Sequence, residues 1–469
     1  MISVTILLVA VGVFYLLKIL YKEYRFREHL KNIPGPKPLP IIGNSHLFKS
    51  LYDYLTILSK IKEEYGGLFI LYLGMRPRLY MCEAKYVEFL LTLNPAITSK
   101  PYEYSIAEEW LGNGLLTSSG EKWRAQRRLL NPTFHLDVLK KYIPAMEKHS
   151  NILVEKLQRH VDGDAFDIYS YITLYALDVI CDAAMGIEVK AQENPNSTYV
   201  RYVKEMNEIV VQRTVSPLKM YHTTYKFTST YKIQNKIVPR LHEFTKSIIE
   251  IRRKAFLKDN HNKDGNEKGK LSFLDLLLQQ YIAGEIPEEE IRSEVDTFAF
   301  AQRVVEELEI VYAGDGPLTY NDMNDMKYLE MVIKEVMRIY PPVPLFGRSL
   351  NEDIEFEGNI LPKGLSVSIN TFCLHNDPKV FPQPERFDPS RFSTENCSNR
   401  SPYAYVPFSG GTRNCIGQRF AMIELKLTLC EVLKRFELIP VSGHKPQLYV
   451  DAILRSRNDL PIMIKARNS

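Results

Sequence analysis

Between residues 408 and 417 the chain reads Phe408-Ser-Gly-Gly-Thr-Arg413-Asn-Cys415-Ile-Gly417, a glycine-bracketed loop that leads into a helical run from Gln418 to Phe436. A sulfur placed there sits at a helix N-terminus, where backbone N–H groups and the helix dipole favour thiolate over thiol. Cys415 is therefore a candidate metal ligand. Gly411 and Gly417 permit backbone conformations and close approaches that a Cβ would block, so a flat cofactor has room against this loop. A lone cysteine is more often a small buried hydrophobe. The full spacing F-x-x-G-x-R-x-C-x-G, however, arises by chance in such a chain with a frequency on the order of 10⁻⁴.

Two other groupings carry chemistry. Trp123 and Arg127 stand four residues apart on a helix and share a face, so an indole N–H and a guanidinium can address one anion; the alternative is a solvated basic helix. Glu335 and Arg338 are one helical turn apart, a spacing that on a surface contributes only tenths of a kcal/mol. Downstream lies Pro384-Glu385-Arg386-Phe387.

These groups need a large scaffold, and the composition provides one. Of 469 residues, 45% are hydrophobic and 25% charged, enough for a single large core and inconsistent with disorder or a collagen-like chain. Lys and Arg number 60 against 56 Asp and Glu, so no general field draws the chain to nucleic acid, and no nucleic-acid partner is expected. The six cysteines show no C-x-x-C and no regular spacing, which fits a reducing compartment better than a disulfide framework. No internal repeats are found.

Residues 1–21 are apolar enough for an N-terminal transmembrane anchor. Lys18, Lys22, Arg25, Arg27 and Lys31 follow the run rather than precede it, which argues against a cleaved signal peptide and puts the bulk of the chain on the cytosolic side. A basic and Pro-rich hinge, 22–42, contains Ile33-Pro-Gly-Pro-Lys-Pro-Leu-Pro40, a stiff extended spacer. The remainder, 43–469, reads as one domain. Strand-like segments from Leu68 to Met81 are broken by Gly74 and Pro77, and Trp123 to about Ala184 is mainly helical. The polar run from Leu257 to Lys270 reads as a solvated loop, and Pro287 followed by Glu288, Glu289 and Glu290 marks a helix start.

In its loop and in the order of its motifs the chain resembles the cytochrome P450 superfamily of haem-thiolate monooxygenases. Phe273-Leu-Asp-Leu-Leu and Glu294-Val-Asp-Thr-Phe resemble microsomal family 4 most. The resemblance covers nearly the whole chain. It implies a mainly α fold with small β-sheets, haem b as cofactor, and Cys415 as axial ligand of the haem iron, pushing electron density to the metal to favour O–O cleavage. It also implies that Trp123, Arg127, Arg348 and Arg413 donate to the propionates, that Phe408, Gly411 and Gly417 shape the loop, and that Glu335, Arg338 and Arg386 form a buried structural triad. The implied setting is the endoplasmic-reticulum membrane with the haem domain cytosolic. The implied partners are NADPH-cytochrome P450 reductase, cytochrome b5 and an apolar small-molecule substrate. Arg124, Arg128, Lys140, Lys141 and Arg419 could form the basic docking face for an acidic partner.

The chain departs from the family in one place. Family members continue the helix that starts near Pro287 through a Gly, an acid and a Thr-Thr pair, which crosses the distal haem face and delivers protons to bound oxygen. Here Glu294-Val-Asp-Thr-Phe-Ala-Phe-Ala301 is followed directly by Gln302-Arg-Val-Val-Glu-Glu-Leu308, which resembles a later stretch. About two dozen residues, six or seven turns, are expected to be missing at 301/302. No catalytic residue beyond the haem ligand is identified, because the acid–alcohol pair is absent after Ala301. Three readings follow: a membrane-bound monooxygenase impaired by that loss, a haem-thiolate isomerase or dehydratase acting on lipid hydroperoxides, or a non-catalytic product of a skipped exon or misjoined gene reading.

Overall fold

The computed structural model describes residues 26–467 apart from 49, 95–97, 195–197, 262–271 and 303–319, together with isolated positions before residue 26. The segment expected to anchor the chain, 1–21, lies almost wholly outside the described residues. No helix among the described residues is long and apolar enough to cross a membrane.

The chain is mainly helical with small sheets, as expected. The helices that frame the site are α1 (Tyr54–Tyr65), α2 (Ala84–Thr92), α3 (Gly120–Leu130), α4 (Leu136–Leu157), α5 (Tyr169–Ala183), α6 (Thr198–Val215), α7 (Ser229–His261), α8 (Phe273–Ile282), α9 (Glu288–Gln302), α10 (Lys327–Ile339), α11 (Thr371–His375) and α12 (Gln418–Arg435). The α10 helix shows why they form: Leu329, Val332, Ile333 and Met337 recur at helical spacing and bury one face. At α8 a capping box closes the start, with Ser272 accepting from the Asp275 amide and the Asp275 side chain accepting from that of Ser272. The α7 helix runs on to His261, five residues into the stretch that reads as loop.

The main sheet has five strands: β1 (Leu68–Leu73), β2 (Arg76–Met81), β3 (Thr98–Ser99), β4 (Leu345–Leu350) and β5 (Ser366–Asn370), in the order β1-β2-β5-β4-β3. Only the β2/β5 pair is parallel. Pro77 is tolerated in β2 because the β5 ladder begins one residue later, at Arg78. Strand alternation divides the packing: Ile70, Tyr72, Leu79 and Met81 face one apolar cluster, while Phe69, Leu71, Tyr80 and Cys82 face another. A third and larger cluster fills the helical body, where α12 lies against α4.

The Pro-rich segment lies along the sheet. The Ile70 amide donates to Pro34 O at 2.9 Å, and the buried Asn44 side chain donates to Pro36 O and Lys37 O while accepting from the Tyr72 amide. Leu30 and Ile33 are buried in the apolar cluster on that side of the sheet.

Candidate functional site

The thiol loop is held from three directions. The Cys415 amide donates to Phe408 O at 2.9 Å, closing the loop on itself, with Phe408 half-buried. Gly411 adopts φ +67, and a Cβ there would stand 2.3 Å from Leu91 O of α2, so this position must be glycine. The close approach it permits is to the α2 backbone. Gly417 caps α12 in an ordinary conformation, and a Cβ there would meet only Cys415 Sγ, at 3.9 Å. From α3, the Arg127 guanidinium donates to Asn414 O at 2.8 Å and to Asn414 Oδ1 at 2.9 Å.

Cys415 is a solvent-exposed residue, on a loop packed against α2 and α3. Burial pushes the Cys415 thiol up, and the amides of Gly417 and Gln418 together with Arg127 oppose that without overcoming it. The helix terminus and Arg127 thus favour thiolate, as expected, while burial works against them and is the larger effect.

Beside the loop stands a group of cations with no carboxylate counter-ion among the described residues. Arg348, on β4, is buried, lies 5.5 Å from the Phe346 ring centroid and donates to Gly347 O (2.9 Å) and Ser409 Oγ (3.3 Å). Arg413 stacks over the buried Trp123 ring, 4.4 Å from its centroid, and donates from one nitrogen to Ser118 O. Its Nε and Nη1 are buried without a partner. Burial and then the like charge of Arg348 push Arg413 down to about 10. Lys100 lies over the Tyr104 ring at 4.2 Å and is lowered by burial and by the charges of Arg348 and Arg413. Among the described residues none of Lys100, Arg127, Arg348 and Arg413 makes an ion pair with a carboxylate. Such a set is satisfied by an external dianion. Lys100 and Tyr104 escape sequence reading because Lys100 follows a two-residue strand and Tyr104 lies in a four-residue helix, elements too short to carry a periodic pattern.

The Glu335–Arg338 pair is fully buried, Arg338 donating from Nε at 2.7 Å and from Nη2 at 2.9 Å. The third member is not Arg386. That side chain is exposed and only its carbonyl, 3.4 Å from Arg338 Nη2, takes part. Arg391 occupies the place instead, with Nε 3.4 Å from Glu335 Oε1 and little exposure. The sequence carried a signal for it: Pro389-Ser-Arg391-Phe392 repeats the P-x-R-F spacing five residues on.

On α9, Glu294 is buried, accepts from the Leu115 amide at 3.0 Å and leaves Oε1 without a partner among the described residues. Burial raises its carboxyl to about 7, with Glu290 adding to the rise and Lys122 opposing it. The folded state therefore favours the protonated acid. The resulting stability is complete below the ordinary carboxylate range and is lost as pH climbs through about 7. We expect Glu294→Gln to match the parent at pH 5 and to be more stable at pH 8, by on the order of 3 kcal/mol, as read by denaturant melts at both pH values.

The comparisons with known proteins agree with this geometry. A sequence model of the cytochrome P450 family matches residues 33–302 and 301–465. The chain belongs to the cytochrome P450 family, whose members are haem-thiolate monooxygenases. Its relatives include cytochrome P450 4V2 of Homo sapiens (38% identical, 94% of this chain and 91% of the relative) and cytochrome P450 4d2 of Drosophila melanogaster (34%, 93% and 94%). Cytochrome P450 4c3 of Drosophila melanogaster is 33% identical over 96% and 92%. Haem is the family's cofactor, and the unpaired nitrogens of Arg413 and the uncompensated cations beside an accessible thiol fit it.

Proposed function

We propose that this chain is a membrane-bound monooxygenase that inserts one oxygen atom from O2 into an apolar substrate, and that its turnover is impaired. The observation that carries the reading is the Cys415 thiol beside cations that lack any carboxylate among the described residues. Cys415 would supply the thiolate ligand to the haem iron and Arg348 and Arg413 would take its propionates, while Trp123 stacks against Arg413 and Arg127 clamps the loop through Asn414. Bound haem supplies the oxygen activation that no side chain can. Glu335, Arg338 and Arg391 keep the loop's surroundings rigid.

The impairment is supported by where the two family matches meet, at 301–302, the end of α9. Residues 303–319 lie outside the described ones. Membrane association is supported by the apolar residues 1–21 and by Leu218 and Phe227, exposed between α6 and α7 at 69% and 90%. The docking of a flavoprotein reductase or cytochrome b5 is supported by exposed Arg128, Lys140, Lys141 and Arg419 near the loop.

The test is a reduced carbonyl spectrum of the purified chain, followed by product formed per NADPH before and after a family-type Gly-acid-Thr-Thr helix segment is inserted between Ala301 and Gln302. Insertion is expected to raise product formation roughly 10²-fold, the scale of a positioned acid–base group. Equal coupling before and after insertion would overturn the impairment, and hydroperoxide turnover without NADPH would favour the isomerase reading.

A further inference from the structure

The buried histidine at the end of α11 takes no part in the site described so far, yet it touches both the Glu335–Arg338 pair and the entrance of the thiol loop. His375 has no exposure. Its Nε2 accepts from the Val406 amide at 2.9 Å, which requires the proton on Nδ1, and the ring lies beside the Met337 backbone of α10, with no hydrogen bond of normal geometry to Nδ1 among the described residues. Its own carbonyl accepts from Arg338 Nη1 at 3.1 Å. The preceding loop residue is held by the same helix: Tyr405 donates its hydroxyl to Lys334 O at 2.9 Å, and its ring lies 5.0 Å from that of His375.

Val406 is itself buried, so its amide must find an acceptor inside the protein, and among the described residues the imidazole is the one it has. Phe408, two residues further on, provides the carbonyl that receives the Cys415 amide. A displacement at Val406 is thus passed directly to the backbone that seats the sulfur. Burial and the neighbouring Arg338 charge lower His375 to about 3, so the ring keeps its acceptor lone pair across the neutral range.

We propose that His375 is a positioning residue for Cys415, a neutral imidazole bridging α10 to the segment that enters the thiol loop. The role rests on the function proposed above for Cys415, but one arm of its test does not. In the full-length protein, amide hydrogen exchange of a peptide spanning 403–408 is compared with the lifetime of the thiolate-type reduced carbonyl spectrum. His375→Leu is expected to speed exchange at Val406 at least tenfold and to shorten the spectral lifetime to a similar degree, with helical circular dichroism unchanged. His375→Gln, which can still offer an acceptor oxygen, is expected to stay within about threefold of the parent on both. Should the leucine variant not fold, His375→Asn, whose amide is too short to reach, carries the same expectation. Unchanged exchange in the Leu variant, or equal losses in the Leu and Gln variants, would overturn the proposal. A parent protein that gives no thiolate-type spectrum but shows the exchange pattern would overturn the role of Cys415 and leave the bridge standing.

Discussion

Cys415→Ser is expected to remove the thiolate-type reduced carbonyl spectrum completely while leaving the fold intact. Serine is close in volume to cysteine, and the residue is solvent-exposed, so the packing change is small. The amide bond to Phe408 O is a backbone contact and survives the exchange. What is lost is chemical: a hydroxyl deprotonates far less readily than a thiol and does not supply sulfur's electron donation to iron. Haem content, helical circular dichroism and the carbonyl spectrum measured together separate a lost ligand from a lost fold. A serine variant that keeps the thiolate-type band would place the ligand elsewhere in the chain.

The second large effect concerns the buried charges around α10. Glu335→Ala leaves Arg338 and Arg391 facing each other without a carboxylate in a site with little or no solvent. Stranding buried charge in this way is expected to cost about 3–5 kcal/mol. That is a large share of the roughly 5–15 kcal/mol that separates folded from unfolded protein. Arg391→Ala should cost less but clearly more than Arg386→Ala, which removes an exposed side chain whose contribution to the network is a backbone carbonyl that alanine also has. Chemical denaturation of the three variants orders them, and an Arg386 variant as unstable as the Arg391 variant would refute the assignment.

The contrast between those two arginines shows where sequence reading stops. Both lie in P-x-R-F spacings five residues apart, and nothing in either tetrapeptide says which guanidinium turns inward. That choice is made by the path of the chain past Glu335, a tertiary fact. The features legible in advance were local. Cys415 and its glycines are contiguous, Glu335 and Arg338 are one turn apart, and the start of α9 is written in Pro287 and three glutamates. Lys100, Tyr104 and His375 were not legible, because each acquires its role from partners distant in sequence: Lys100 from Arg348 and Arg413, more than two hundred residues on, and His375 from Arg338 and Val406, more than thirty residues to either side. The burial that opposes the helix terminus at Cys415 was not legible either. A helix terminus is visible in a sequence, whereas the protein mass that surrounds it is not.

The seating of the proline segment on β1 has a consequence for how the protein can be handled. Because Ile70 and Asn44 hold the backbone of Pro34, Pro36 and Lys37, and because Leu30 and Ile33 are buried, that stretch works as an outer rim of the sheet rather than as a tether. Trimming the polypeptide ahead of residue 26 shortens the leash and spares the rim. Cutting past Ile33 would bare an apolar groove along β1 and invite copies of the protein to stick to one another there.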